Sequence, residues 1–126
     1  MERRTTKTAV LLPMVMAAGM IIAMMILGGC AIQYGAPILS EKGITFKVHV
    51  PGAKQVAIVG SFNNWDRQKN LMSGPEGDGW WSITLPLSPG RHEYLFLIDG
   101  TIWHLDPHGT GMTDDGFGGK NSVLYL

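Results

Sequence analysis

The clearest pattern in the chain is a strict alternation of apolar and polar residues over positions 44–50. Successive side chains of a β-strand point to opposite faces, so the alternation predicts a strand with one face buried. Residues 56–59 are apolar without interruption and end at Gly60. That continuous run predicts a second strand, covered on both faces.

Similar short runs, separated by glycine and proline turns, predict more strands along the remainder of the chain. Asp99-Gly100 lies between two of them and is a hairpin signal, because glycine accepts positive φ at little cost. The further predicted strands cover residues 70–73, 80–85, 92–98, 101–104 and 121–126. About seven short strands, with no helical period after Gly29, predict an all-β fold, an antiparallel β-sandwich.

The first 29 residues have a different character. Three basic residues precede an apolar run at 9–27, and six of the eight methionines lie in this segment, whereas every aromatic residue lies beyond it. A basic start, an apolar middle and small residues at the end are typical of an export signal. Leu27-Gly28-Gly29-Cys30 resembles the lipobox of bacterial lipoproteins, which implies lipidation of Cys30.

Two alternatives to a lipoprotein signal remain open. Nineteen residues in a helix reach about 28 Å, close to the ~30 Å hydrocarbon core, which is also typical of an uncleaved single-span anchor. An ordinary cleaved signal peptide is the third reading. All three export the globular part of the chain, and the basic residues keep Met1 in the cytoplasm. Because Ala31, rather than aspartate, comes after Cys30, the resemblance to lipoproteins favours the outer membrane.

These patterns divide the chain into three predicted segments. Residues 1–29 form the signal peptide or membrane anchor, residues 30–42 a linker, and residues 43–126 the globular domain. The lipid bilayer is then a partner, through acylated Cys30 or an uncleaved helix. We expect an exported, membrane-anchored lipoprotein of the bacterial envelope, either facing the periplasm or in the outer membrane.

Charge and length exclude several functions. Beyond residue 29 the chain carries seven basic and nine acidic residues, a net charge of −2, which does not favour nucleic acid. The 97 residues after that segment are too few for a (β/α)₈ barrel, which needs ~250. With Cys30 as the single cysteine, no disulfide within the chain is possible.

No pattern in the chain is typical of catalysis. The histidines are isolated apart from one pair, and no serine lies in a Gly-x-Ser-x-Gly context, so we expect no catalytic residue and no enzyme activity. The four residues that most resemble a metal site are Asp106, His108, Asp114 and Asp115. Their spacing matches neither a calcium loop nor a zinc site, so we expect a glycine-rich loop, no metal and no cofactor.

Aromatic and amide residues point instead to a sugar. Gly60-Ser61-Phe62-Asn63-Asn64-Trp65 places an indole beside two amides, and Trp103 comes after the hairpin turn. A flat ring suits the C–H face of a sugar, whereas amides match its hydroxyls. Trp80 and Trp81 are adjacent and should point to opposite faces, so at least one belongs to the core.

Residues 56–65, 92–100 and 121–123, with Trp103 and Asp106-Pro107, resemble the glycogen-binding module of the AMP-activated protein kinase beta subunit. They are also similar to the isoamylase N-terminal-like early-set domains that precede the catalytic barrels of branching and debranching enzymes. The resemblance covers residues 44–126. It implies an immunoglobulin-like early-set β-sandwich, often one that binds α-glucans.

The resemblance also implies a set of carbohydrate-binding residues. Trp65 and Trp103 fall on the two tryptophans that stack on glucose, Asn121 on the sugar-binding asparagine, and Phe117 near a leucine that enters the curve of the glucan. Leu95, however, replaces a lysine that hydrogen-bonds sugar hydroxyls in the kinase module.

Two hypotheses therefore remain. The first is a non-catalytic α-glucan-binding module tethered to the envelope. The second is an envelope protein-interaction or structural early-set domain that has lost sugar binding. Leu95 and Leu97 could provide an apolar strip for a protein partner.

Overall fold

The structure is a computed structural model that describes residues 31–126. The predicted signal or anchor at 1–29 and the predicted lipidation site Cys30 lie outside these residues. Within the described range, no helix combines the length and apolar character needed to cross a membrane.

The described residues form nine strands and one short 3₁₀ helix. They are β1 (Gln33–Ser40), β2 (Gly43–His49), β3 (Val56–Gly60), the 3₁₀ helix (Ser61–Asn63), β4 (Ser73–Glu76), β5 (Trp80–Leu85), β6 (Arg91–Ile98), β7 (Ile102–His104), β8 (Gly111–Asp114) and β9 (Lys120–Tyr125).

The strands form two antiparallel sheets. One sheet has four strands in the order β1-β2-β5-β4. The other has the order β3-β6-β9-β8, and β7 pairs with the second half of β6. The turn that joins β6 to β7 contains Asp99-Gly100, as predicted, and both residues have positive φ.

The core lies between the two sheets, which confirms the all-β sandwich. Alternate residues of β2, such as Phe46 and Val48, face alternate residues of β6, such as Tyr94 and Phe96, in one buried cluster. The Phe46 and Tyr94 rings meet edge to face with centroids 5.1 Å apart. Trp81 belongs to this core, as expected for one of the adjacent pair of tryptophans.

The predicted linker at 30–42 is wrong for most of its length, because Gln33–Ser40 is strand β1 and pairs with β2. The register of β1 against β2 shifts between Gly35 and Ile38. This irregularity breaks the alternation of inward and outward side chains, so the sequence shows no period of two. It is also an edge strand, where Pro37 is tolerated.

Two other differences concern edges of the sheets. The strand predicted at 70–73 is wrong in its bounds, because Leu71 makes only a single bridge to Ala57 and β4 begins at Ser73. This segment lies along the free edge of β3, where the Met72 N–H donates to the Val56 oxygen at 2.8 Å. Strand β8 was not predicted, because exposed Met112 leaves it without apolar alternation.

Candidate functional site

A cavity of about 450 Å³ opens on the outer face of the five-stranded sheet. We call it the indole cavity, and its lining residues are Trp65, Leu95, Trp103, His104, Leu105, Asp115, Gly119 and Lys120. Leu95 lies between Tyr94 and Phe96, which point into the core, so its side chain projects outward from the middle of the sheet. The structure therefore brings both predicted stacking tryptophans to one concave surface.

Trp65 reaches the cavity from the loop after β3. Its N–H donates to the Gly60 oxygen at 3.0 Å and closes a turn around the 3₁₀ helix. Both Asn64 and Trp65 have positive φ, 54° and 59°. This conformation is rare for a residue as large as tryptophan and costs ~1–3 kcal/mol; such strain clusters at functional sites. The loop holds the indole 38% exposed.

Asn63 organises this loop from inside the protein. It is only 2% exposed, and its Oδ1 accepts the Gly60 N–H at 3.0 Å. Its Nδ2 donates to the Ile58 oxygen at 3.1 Å and to Asn70 Oδ1 at 2.8 Å. The interpretation of this amide as a sugar contact is therefore wrong, because its hydrogen-bonding groups are used within the fold. Asn64, by contrast, is exposed.

Trp103 lies on β7, opposite Leu97 of β6. Leu97 is on the same outward-pointing face of β6 as Leu95, so the indole also lies on the outer face, where it is 39% exposed. The Arg67 guanidinium carbon is 5.2 Å from the ring centroid, a cation–π contact. Arg67 and Trp65 belong to the same loop, so this loop supports both indoles.

Asn121 lies beside the cavity without lining it. The pairing of Tyr94 with Ser122 places Asn121 next to Leu95 on the outer face. The Asn121 side chain is 7% exposed, and its Nδ2 donates to Glu93 Oε2 at 3.0 Å. Glu93 also accepts a hydrogen bond from the Arg91 guanidinium. In this structure the predicted sugar-binding amide of Asn121 is therefore hydrogen-bonded to the Glu93 carboxylate.

Phe117 projects from the turn between β8 and β9 and is 95% exposed. Gly116 and Gly118 on either side have positive φ. Asp115 fixes the turn, because its Oδ1 accepts the N–H groups of Phe117 at 2.7 Å and Gly119 at 3.0 Å. Asp115 and Gly119 form one wall of the indole cavity, but Phe117 itself does not line it.

Comparison with known proteins decides the family. Residues 44–125 match the family model described as the glycogen recognition site of AMP-activated protein kinase. The chain belongs to this glycogen recognition family. The resemblance of residues 44–126 to the glycogen-binding module is thereby confirmed.

Several branching enzymes are among the proteins similar to this chain. The 1,4-alpha-glucan branching enzyme GlgB of Marinobacter nauticus is 36% identical over 82 residues, which are 60% of this chain and 13% of that enzyme. The Bacillus cereus enzyme is 33% identical over the same length and the same shares. GlgB 2 of Rhizobium etli is 40% identical over 68 residues, 53% of this chain and 8% of the enzyme. The chain thus spans about an eighth or less of these relatives.

This member of the glycogen recognition family has cavity residues that sequence reasoning missed. Lys120 contributes an ammonium group, and its Nζ is 3.0 Å from Asp114 Oδ1 in an exposed ion pair. Asp115 contributes a carboxylate, and Leu105 an apolar wall. No motif marks these residues, because they reach the cavity only through the β8–β9 turn and the segment after β7. Of the two leucines predicted to form an apolar strip, only Leu95 lines this cavity, because Leu97 is buried.

The carboxyl of Glu93 makes acid stability a test of its contacts with Asn121 and Arg91. The Asn121 amide, and next the Arg91 guanidinium, hold the pKa of Glu93 below its usual value. Such a group stabilises the fold above the pKa of the unfolded chain, about 4.3, and that contribution is lost as pH falls through the folded pKa. We expect Glu93→Gln to lose less stability than the native chain from about pH 5 to about pH 3 in urea unfolding.

The matched control is Glu41→Gln, because Glu41 is exposed in the turn between β1 and β2 and makes no ion pair among the described residues. It should lose as much stability as the native chain. Equal losses in Glu93→Gln and the native chain would show that the Glu93 carboxylate does not stabilise this part of the sheet.

The four residues that most resembled a metal site do not converge. Asp106 is buried, where its Oδ2 accepts the Tyr94 hydroxyl at 2.7 Å and its Oδ1 accepts the His108 N–H at 2.8 Å. Burial, with the adjacent Asp106 carboxylate, raises the pKa of Tyr94. Among residues 31–126, no three histidine, cysteine or acidic side chains are grouped to hold a metal ion. Asp106 instead fastens the segment after β7 to the core.

Proposed function

We propose that this chain is a non-catalytic α-glucan-binding module that is tethered to the bacterial envelope. The observation that carries the binding proposal is the position of Trp65 and Trp103, which line one cavity and are each more than a third exposed as residues. Membership of the glycogen recognition family supports it. So does the match to the corresponding part of branching enzymes, which are named for 1,4-α-glucan.

The indole cavity has the chemistry that a sugar chain requires. The two indoles offer flat apolar surfaces to the C–H faces of successive glucose rings. At the opposite wall, Lys120 offers hydrogen-bond donors and Asp115 offers acceptors for hydroxyl groups. A volume of about 450 Å³ lies within the ~300–1,000 Å³ range of small-molecule sites, so short segments of a glucan suit it.

Native affinity electrophoresis tests the proposal. The full chain is run in gels that contain glycogen, amylose or no polysaccharide, in a polyoxyethylene detergent whose head group contains no sugar. We expect retardation in both polysaccharide gels relative to the plain gel and to a non-binding marker protein. Equal mobility in all the gels would contradict the proposal.

Tethering is supported by the pattern of the first 30 residues, with Cys30 as the lipidated residue. Acyl chains contribute roughly 0.8 kcal/mol per buried CH₂ to membrane binding, so several chains hold a small domain firmly. In a bacterial host, we expect globomycin treatment or Cys30→Ala to accumulate a larger precursor that is not acylated. Unchanged processing would reject the lipoprotein and leave the single-span anchor or the ordinary signal peptide.

A protein-interaction domain is the second candidate function, and Leu95 is the observation that favours it. An apolar side chain lines the cavity at the position where the resemblance leads one to expect a lysine. A partner that inserts an apolar side chain into this cavity would gain the free energy of burial. In that case the affinity gels would show no retardation.

Leu95→Lys distinguishes the two functions. A lysine at this position would lie on the same face as Glu93, two residues earlier on β6, and could donate to a sugar hydroxyl. A charge-assisted hydrogen bond contributes about 1.5–3 kcal/mol, part of which is offset by desolvation, so we expect roughly tenfold tighter binding of maltoheptaose. Leu95→Met should leave the affinity unchanged. No gain in Leu95→Lys, measured by calorimetry, would contradict a sugar within reach of position 95 in the cavity.

A further inference from the structure

A second cavity of about 500 Å³ lies on the opposite side of the sandwich, on the outer face of the four-stranded sheet. We call it the Trp80 cavity, and its lining residues are Gly35, Lys47, Glu76, Gly77, Trp80, Trp81 and Ser82. Trp81 pairs with Val48, which faces the core, whereas Trp80 pairs with His49 on the other face of the sheet. The indole of Trp80 is therefore directed away from the core.

Local contacts hold this indole and keep the space beside it open. The Trp80 ring packs against His49 with centroids 5.1 Å apart, and His49 Nε2 is 3.3 Å from Asp78 Oδ2. Gly35 pairs with Lys47 in the neighbouring strand. A Cβ at position 35 would lie 3.1 Å from the Lys47 Cβ, closer than ordinary contact. The missing side chain thus leaves room between β1 and the lysine.

The chemistry of the Trp80 cavity repeats that of the indole cavity. Each combines a partly exposed indole with one lysine and one carboxylate: Lys47 and Glu76 here, Lys120 and Asp115 there. One positive and one negative group give no preference for an ion, whereas a neutral polyhydroxyl ligand uses both donors and acceptors. Ser82 adds a hydroxyl that can do either.

We propose that the Trp80 cavity is a second α-glucan site, which binds a segment of glucan separate from the one in the indole cavity. This inference rests on the proposed function and extends it from one site to two. The sheets of a sandwich pack about 10 Å apart, and the two cavities lie on their outer faces, so a short oligosaccharide does not reach both. A branched polymer does, and simultaneous engagement raises its apparent affinity without any new contact.

Calorimetric titration of the full chain with maltoheptaose, in the detergent without sugar, tests the second site. We expect two equivalents of maltoheptaose per native chain and one per Trp80→Ala chain. In glycogen gels, Trp80→Ala should need roughly tenfold more glycogen for half-maximal retardation, because simultaneous binding is lost. Tyr125→Ala is the matched control, since Tyr125 is an exposed aromatic residue that lines neither cavity. It should keep both equivalents.

The outcomes separate the second site from the proposed function. One equivalent per native chain, unchanged in Trp80→Ala, overturns the second site and leaves the proposed function intact. No binding of maltoheptaose or glycogen overturns both. If Trp80→Ala lacks a cooperative thermal transition, Lys47→Ala replaces it, because Lys47 is exposed. We then expect two equivalents with several-fold weaker affinity at one site, and an unaltered isotherm overturns the second site.

Discussion

Alanine in place of Trp65 or Trp103 is expected to weaken maltoheptaose binding at the indole cavity about thirtyfold. Each indole is partly exposed in the free chain, so contact with a sugar would remove that apolar surface from water. Truncation of an aromatic residue at the centre of a binding site commonly costs about 2 kcal/mol, which corresponds to about thirtyfold in affinity. Isothermal titration with maltoheptaose measures the change.

The control for both variants is again Tyr125→Ala, which should bind as the native chain does. The two losses of affinity should not add in the double variant, because both indoles are expected to contact one ligand. The loop after β3 also carries Trp65 and contacts the Trp103 ring through Arg67. Native affinity in either single variant would contradict the proposal that both indoles contact the same glucan. A normal circular dichroism spectrum and thermal transition in each variant show that the fold is retained.

Asn63→Ala is expected to destabilise the domain by about 2–4 kcal/mol. The substitution leaves the Gly60 N–H and the Ile58 oxygen without the partners that Asn63 now provides, and each unsatisfied buried group costs about 1–3 kcal/mol. The loop that carries Trp65 should lose its fixed conformation, so glucan affinity should fall as well. Urea unfolding measures the first effect and maltoheptaose titration the second.

The neighbouring amide supplies a matched control. Asn64 is exposed and has a φ of 54°, which glycine adopts without strain, so Asn64→Gly should change the unfolding free energy by less than about 0.5 kcal/mol. A similar small change in Asn63→Ala would show that the buried amide does not hold the loop. Loss of stability with full glucan affinity would show that Trp65 does not depend on the loop.

The fold was predictable from the sequence where burial gives a strand a regular apolar pattern, either on one face or on both. Strand β2 has one buried face, and its alternation at 44–50 predicted it within one residue. Strand β3 is buried on both faces, and its apolar run was equally clear. Strands β1 and β8 lie at sheet edges and were missed, because a register shift and an exposed methionine removed the period of two.

The candidate site was predictable only in part. Trp65 and Trp103 were identified because family resemblance marks them, and the structure places both at one cavity. The structural role of Asn63 was not predictable, since an amide in a sequence gives no sign of whether its partner is a ligand or a neighbouring chain segment. Lys120 and Asp115 depend on the turn between β8 and β9, so no local pattern could have indicated them.

The central claim is that Trp65 and Trp103 contact the same glucan. Its most direct test is nuclear magnetic resonance of the four tryptophan indole N–H groups during a maltoheptaose titration. The account predicts that the Trp65 and Trp103 signals shift together with one dissociation constant. Static Trp65 and Trp103 signals, or shifts of the two with different dissociation constants, would contradict it.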